Sequence, residues 1–263
     1  MDKKQLLRSV AAAPEDELLL SHALDQLQLC QRRSIPTHTG FLSPAQWTAV
    51  ARLTEQVGGA ELLTVGGYPE AERRRCLFLP DYLSAECVDE AEYISALRLR
   101  WYHPNSLSHR DLLGSLMGLG LKRETLGDLL VGEESCDLLL LPELASYVRD
   151  NLERAGREAL RIEAVSLDSL HFPEAKVKRI RASVASLRLD AVAAACFGLS
   201  RSRLTELIRA GKVFVNHSPV QRPDLPMNAG DVFSCRGEGK GRLTEVGQTT
   251  RKGRVSVELE RFL

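Results

Sequence analysis

The stretch from Arg188 to Asn216, RLDAVAAACFGLSRSRLTELIRAGKVFVN, carries the periodicities of two short helices and a strand. Leu189, Val192, Ala193, Cys196 and Phe197 recur at i, i+3, i+4, i+7 and i+8, the spacing that sets one apolar stripe on a helix. Gly198 and Leu199 break that helix. Ser200 is a suitable N-cap for a second, whose apolar face is Leu204, Leu207 and Ile208, and Gly211 tolerates the left-handed turn that closes it. Val213 and Val215 then alternate into a strand.

The charges on this stretch sit where folding alone disfavours them. Arg201 and Arg203 fall in the first turn of the second helix, where exposed backbone N–H groups and the positive end of the macrodipole penalise a cation by roughly 0.3–1 kcal/mol. A nucleic-acid phosphate docked there would turn the same groups into a binding site.

Arg188-Leu189-Asp190, Ser200-Arg201-Ser202, Leu207-Ile208, Gly211, Val213, Val215-Asn216, Gly230-Asp231 and Arg236-Gly237 together resemble the S4 RNA-binding domain, over roughly a fifth of the chain. In that family the helix pair and the loop after it lie against folded RNA. The resemblance implies RNA contacts at Arg188, Arg201, Ser202, Arg203, Lys212 and Asn216.

The whole chain is 263 residues, 44% hydrophobic and 27% charged, with formal net charge zero, so it accommodates two or three modest soluble domains. The charge is unevenly spread. Residues 171–263 hold 17 Lys and Arg against 9 Asp and Glu, whereas residues 1–170 hold 18 against 26. Phosphate attraction therefore belongs to the C-terminal third. No apolar run reaches membrane-spanning length, and Pro14 to Glu17 interrupt the N-terminal segment, so neither a membrane partner nor a secretory signal is expected and the reading is cytoplasmic. The cysteines at 30, 76, 87, 136, 196 and 235 form no C-x-x-C pair and the histidines are unpatterned, which predicts no metal, no cofactor and no disulfide framework.

Toward the N-terminus, residues 1–85 read as a mostly helical region. Leu18, Leu19, His22, Ala23, Gln26 and Leu29 trace one stripe, Pro44 to Val57 another, and the intervening SIPTHTGFLSP reads as loop. His22 and His38 have no nucleophile to serve and stay unassigned. The segment Gly66-Gly67-Tyr68-Pro69-Glu70-Ala71-Glu72-Arg73, with Phe41-Leu42-Ser43-Pro44 before it and the apolar Cys76–Leu79 after it, resembles the YlmH family of bacterial proteins, which carry an S4 domain at the C-terminus. This extends the resemblance to nearly the full length.

Residues 86–168 read as a ferredoxin-like, RNA-recognition-motif-like βαββαβ domain. Leu97, Leu99 and Trp101 face one side of its first strand, Arg98 and Arg100 the other. Ser108 and Asp111 form a capping-box pattern before the first helix, and Pro142 suits the start of the second. The run Cys136-Asp137-Leu138-Leu139-Leu140-Leu141 offers no aromatic for base stacking, and the chain is only 5% aromatic, so docking is expected of this domain, with Arg98 and Arg100 as secondary RNA candidates. Residues 169–186 read as a basic linker in which Lys176, Lys178, Arg179 and Arg181 track a phosphate backbone.

Residues 187–263 complete the S4 module. GEGKGR reads as a glycine-rich basic loop with Arg236, Lys240 and Arg242, without P-loop spacing. A hairpin tail follows, tipped by Arg251 and Lys252, with Val255, Val257 and Leu259 alternating along its second strand. The predicted fold is thus α+β: a helical N-terminal region, a ferredoxin-like middle domain, and a C-terminal S4 domain with a basic hairpin.

An Arg-Leu-Asp triplet also occurs in pseudouridine synthases, but Asp190 opens an S4 helix, and no G-x-S-x-G elbow, His-Cys pair or cofactor fingerprint is present. No catalytic residue is expected. The YlmH resemblance implies a non-enzymatic factor that binds rRNA of the large ribosomal subunit and peptidyl-tRNA in ribosome-associated quality control, with a partner protein that tails the nascent chain. A general rRNA-binding assembly factor is the alternative, and an RNA-modifying enzyme the third reading.

Overall fold

A computed structural model describes residues 3–11, 16–173, 177–216, 218–249 and 253–262. They form two compact units, Met1–Pro173 and Glu174–Leu263.

The first unit begins with α1 (Lys3–Val10), α2 (Asp16–Arg33), β1 (Thr37–Leu42), α3 (Pro44–Val57), β2 (Glu61–Val65) and β3 (Arg74–Leu79). Asp16 and Glu17 open α2, and Arg32 and Arg33 close it, each set matched to the helix dipole. The buried stripe of α2 is Leu20, Ala23, Leu24, Leu27 and Cys30, while Leu18, expected to face inward, is 68% exposed. Thr37–Leu42 is a strand where the sequence reads as loop: it pairs antiparallel with β3 and buries Phe41 and Leu42. The helical region therefore contains a three-stranded sheet, ordered β1-β3-β2.

Next come β4 (Ser95–Arg100), α4 (His109–Gly118), β5 (Leu126–Val131), β6 (Ser135–Leu140), α5 (Pro142–Asn151), the short hairpin β7 (Arg154–Ala155) and β8 (Glu158–Ala159), and β9 (Arg161–Val165). The four long strands order as β5-β6-β4-β9 with antiparallel neighbours, the ferredoxin-like arrangement the residues predict. The Ser108–Asp111 capping box opens α4. Leu97, Leu99, Leu138 and Leu140 pack against the two helices through Leu112, Leu116 and Val148.

Leu139, Ala96 and Val165 point the other way and share a core with Phe41, Val65, Leu77 and Leu79 of the three-stranded sheet. Two sheets are thus packed face to face. That is why Cys136–Leu140 is an unbroken buried run. It also closes the face that an RNA-recognition motif uses for bases.

Within this unit Arg75 is only 2% exposed. Its Nε donates to the Thr39 carbonyl at 3.0 Å, a second nitrogen donates to the Tyr93 carbonyl, and a third lies 2.6 Å from His38 Nδ1. Partial burial of the imidazole, then the Arg75 charge, hold the His38 pKa below its ordinary 6.5. The unfolded chain therefore takes up this proton first, and the contribution to stability is full above about pH 6.5 and lost as pH falls toward the folded-state pKa. Thermal melts from pH 7.5 to pH 5.5 should show a falling Tm, and His38→Gln should flatten that fall. A variant with an undiminished pH slope would assign it to other groups.

The second unit contains β10 (Val177–Val184), α6 (Leu189–Phe197), α7 (Arg201–Arg209), β11 (Val213–Val215), β12 (Ser218–Val220), β13 (Val232–Cys235), β14 (Gly239–Thr249) and β15 (Val255–Phe262). The strands form one sheet, ordered β10-β15-β14-β13-β11-β12. Both helices pack on one face of it, burying Val192, Phe197, Leu204 and Ile208 against Val213, Phe233, Leu243 and Val257. A side chain at Gly241 would meet Cys196 Sγ at 2.6 Å and the Phe233 ring at 2.9 Å, so the strand can approach α6 only as glycine.

The expected linker 169–186 is not a linker throughout. Val177–Val184 is an edge strand paired with β15 along its whole length, and Ile180, Ala182 and Val184 alternate into the core. GEGKGR is likewise shorter as a loop than expected: the turn is confined to residues 236–238, and Lys240 and Arg242 lie on β14.

Candidate RNA interface

Asp190 organises the N-terminal ends of the two helices. Its side chain, 6% exposed, accepts from Arg188 Nε at 3.2 Å and Nη2 at 3.3 Å, and from Arg201 Nη2 at 2.8 Å. Both guanidiniums stay about half exposed. The buried carboxylate offsets the placement of Arg201 in a helical first turn and presents two cations side by side. The first amides of α6 are taken by the chain, since Leu189 donates to the Leu225 carbonyl at 2.9 Å and Asp190 to that of Pro223 at 3.0 Å.

On α7, Ser200 Oγ accepts the Arg203 amide at 3.1 Å, as expected of the N-cap. The two arginines of this turn do not converge. Arg201 turns back to Asp190, whereas Arg203 runs along the helix to Glu206 at 3.1 Å. Ser202 is exposed between them.

Lys212 and Arg236 lie at the adjoining ends of β11 and β13. The Arg236 amide donates to the Lys212 carbonyl at 2.9 Å. Burial, then Glu238, push the Cys235 thiol up, while Lys212 and Arg203 are close enough to oppose that shift. Arg188 and Arg201 thus sit together at the helix starts, Arg203 lies two residues further along α7, and Lys212 and Arg236 lie at these strand ends. Asn216 contributes differently. At φ 46° it holds the β11–β12 turn, its Nδ2 donating to Asp231 Oδ1 at 2.8 Å and its Oδ1 accepting the Val232 amide at 3.0 Å.

Lys240 and Arg242 project from β14 on the sheet face opposite the helices, 5.5 and 5.7 Å from the centre of the Phe262 ring. Arg179 and Arg181 of β10 share that face, but they lie 3.6 Å from Glu260 and 2.8 Å from Glu258. Strand pairing, which alternates the glutamates of β15 against them, replaces the expected phosphate-tracking linker with a charge-balanced edge. Lys178 is exposed on the same strand. Lys176, Arg251 and Lys252 lie outside the described residues.

Arg98 is not available to RNA. Its Nε and Nη2 each reach an Asp137 carboxylate oxygen at 2.7 Å, Nη2 also donates to the Ser169 carbonyl at 2.6 Å, and the pair is 7% and 0% exposed. Arg100, at the open end of the strand, pairs with Glu163 at 3.2 Å.

The Gly66–Arg73 segment welds the two sheets of the first unit. Tyr68 Oη and the amides of Glu72 and Arg73 all donate to the Asp128 carboxylate, at 2.8, 2.7 and 3.1 Å. Arg73 ties together the carbonyls of Phe41, Arg123 and Leu126. Burial, then the Arg123 charge, bring its pKa down to about 10. At Gly67, φ 85°, a Cβ would meet Leu139 at 2.3 Å, so close sheet packing requires glycine there. Asp128 was missed in the sequence because one acid on a strand gives no local sign of three donors arriving from another segment.

Among the described residues no helix is long and apolar enough to cross a membrane, and no cluster of three His, Cys, Asp or Glu could hold a metal ion.

Residues 102–169 match the family model described as "Putative RNA-binding domain in YlmH", residues 15–83 match "YlmH, N-terminal", and residues 187–233 match the S4 domain. A relative from Bacillus subtilis (strain 168), "Ribosome-associated protein quality control protein P2", is 33% identical over 249 residues, covering 94% of this chain and 95% of that protein. The solved structure of "Cell division protein ylmH from Streptococcus pneumoniae" shares the fold at TM-score 0.53 and 21% identity, over 60% of this chain and 96% of its own.

Proposed function

The chain belongs to the YlmH family, and from that membership we propose that it is an RNA-binding, ribosome-associated adaptor that positions RNA and makes or breaks no bond. The observation that carries this reading is the pair Arg188 and Arg201, held side by side and half exposed by the buried Asp190 at the helix starts, with Arg203 in the same first turn of α7 and Lys212 beside Arg236 at the adjoining strand ends. Such a set of cations suits phosphates of a folded RNA and has no preference among bases.

Asp190 lies beneath two guanidiniums, a position that orients cations and does not reach a substrate base, which argues against a synthase-like enzyme. The name of the Bacillus relative supports a role in ribosome-associated quality control. The proposed RNA partners are the large-subunit rRNA and peptidyl-tRNA. A protein that tails the nascent chain would act beside it, in the cytoplasm. The 102–169 domain, with its sheet face closed, would contribute docking through its edges and helices.

Ending the chain after Pro173 removes the whole second unit, including β10, and leaves the first with its own cores. In a sucrose gradient the full chain should cosediment with large ribosomal subunits and the shortened one should not. Cosedimentation of residues 1–173 alone would transfer the docking to the first unit.

A further inference from the structure

The face of the second unit's sheet that points away from α6 and α7 carries a row of side chains of which only Arg236 belongs to the cation set described above. Phe214 pairs across strands with Ser234, Ser234 with Lys240, and the pairing of Gly241 with Arg261 places Lys240 opposite Phe262. Phe214 alternates with the buried Val213 and Val215, and Phe262 follows the outward alternation of Glu258 and Glu260, so both rings stand on this face, half-buried. Three strand spacings separate them, about 14 Å. Arg236 lies over the Phe214 ring at 5.3 Å, and Lys240 and Arg242 lie 5.5 and 5.7 Å from the centre of the Phe262 ring.

From this row we infer that the open sheet face binds an unpaired segment of RNA by stacking one base on Phe214 and another on Phe262. The inference deepens the RNA-binding reading above and rests on it. An aromatic ring at each end, a hydroxyl and three cations supply the two things a single strand needs: flat apolar surfaces for bases and positive charge for the phosphates between them. A paired helix offers no free base face to these rings. Charge ends the path at Phe262, because at the β10 edge Arg179 and Arg181 are balanced by Glu260 and Glu258. The ferredoxin-like sheet cannot serve in its place, since its corresponding face is packed against β1-β3-β2. A base that stacks on Phe262 takes the ring surface near Lys240 and Arg242, which then reach its phosphates.

The test uses the full chain with a mixed-sequence single-stranded RNA carrying a fluorescent purine analogue and with a fully paired RNA duplex. Phe214→Leu with Phe262→Leu keeps apolar bulk and removes both ring faces. It should weaken single-strand binding on the order of tenfold per ring, abolish the quenching of the analogue, and leave duplex affinity and the salt slope unchanged. Phe→Tyr at both positions should restore binding and quenching. Unchanged single-strand affinity and quenching in the leucine variant, with RNA binding intact, would overturn this inference alone. Failure of the unmodified protein to bind either RNA would overturn the reading beneath it. Loss of polyglutamate binding in the same variant, with RNA binding retained, would reassign the face to an acidic protein segment.

Discussion

Replacing Arg201 and Arg203 together with alanine should weaken RNA binding on the order of tenfold per arginine and flatten the salt dependence of log K by up to about two units. Each guanidinium that neutralises a phosphate releases counterions, so its removal is read directly in the slope. The two positions differ in what else they do. Arg201 is one of the two partners of the buried Asp190, and its loss also disturbs the start of α6. Among the described residues Arg203 pairs with Glu206 at an exposed i,i+3 spacing, worth about 0.2–0.5 kcal/mol, and its cation is disfavoured by the helix dipole by roughly 0.3–1 kcal/mol. Arg203→Ala alone should therefore be neutral or slightly stabilising in a thermal melt while lowering RNA affinity. An unchanged salt slope in the double variant would remove the proposed phosphate site.

Asp137→Ala should be the most damaging single change in the first unit, costing about 3–5 kcal/mol in chemical denaturation. The carboxylate accepts both ends of the Arg98 guanidinium and the His171 amide at 2.6 Å, and no solvent reaches it. Truncating it leaves a buried cation whose remaining partner is the Ser169 carbonyl. The paired change Arg98→Met with Asp137→Leu removes both charges at similar volume and should recover most of the loss. A cost below about 1 kcal/mol for Asp137→Ala would mean that this pair is hydrated in solution. RNA binding by the second unit should survive the double apolar change, which separates the scaffold role of Arg98 from the RNA-contact role its strand position suggests.

Arg98 shows what was legible in the sequence. Alternation along Ser95–Arg100 places it correctly on the face opposite Leu97 and Leu99. Nothing within six residues says that this face is covered, because the cover is β1-β3-β2, built partly from Thr37–Leu42, which reads as loop. The same holds for Val177–Val184. Its lysine and arginines suggest a solvated linker, whereas Ile180, Ala182 and Val184 already carry the period of a strand; the deciding partner, β15, lies more than seventy residues away. In α2 the right helix is legible with the wrong stripe, since Leu18, Leu20, Leu24 and Leu27 are equally apolar and only packing against Val50, Leu53 and Phe78 selects among them.

By itself the sequence determined the helix pair of the second unit, its Ser200 cap, the strand and helix order of the ferredoxin-like domain, and the division of charge between the two parts of the chain. Those are set by spacing, caps and composition within a few turns of chain. The tertiary structure decided which cations remain at the surface: Asp190 gathers Arg188 and Arg201, Asp137 removes Arg98, and the glutamates of β15 balance Arg179 and Arg181. The physical reason is that a side chain's exposure and charge environment depend on what packs across from it, and the partners that settle both are distant in sequence.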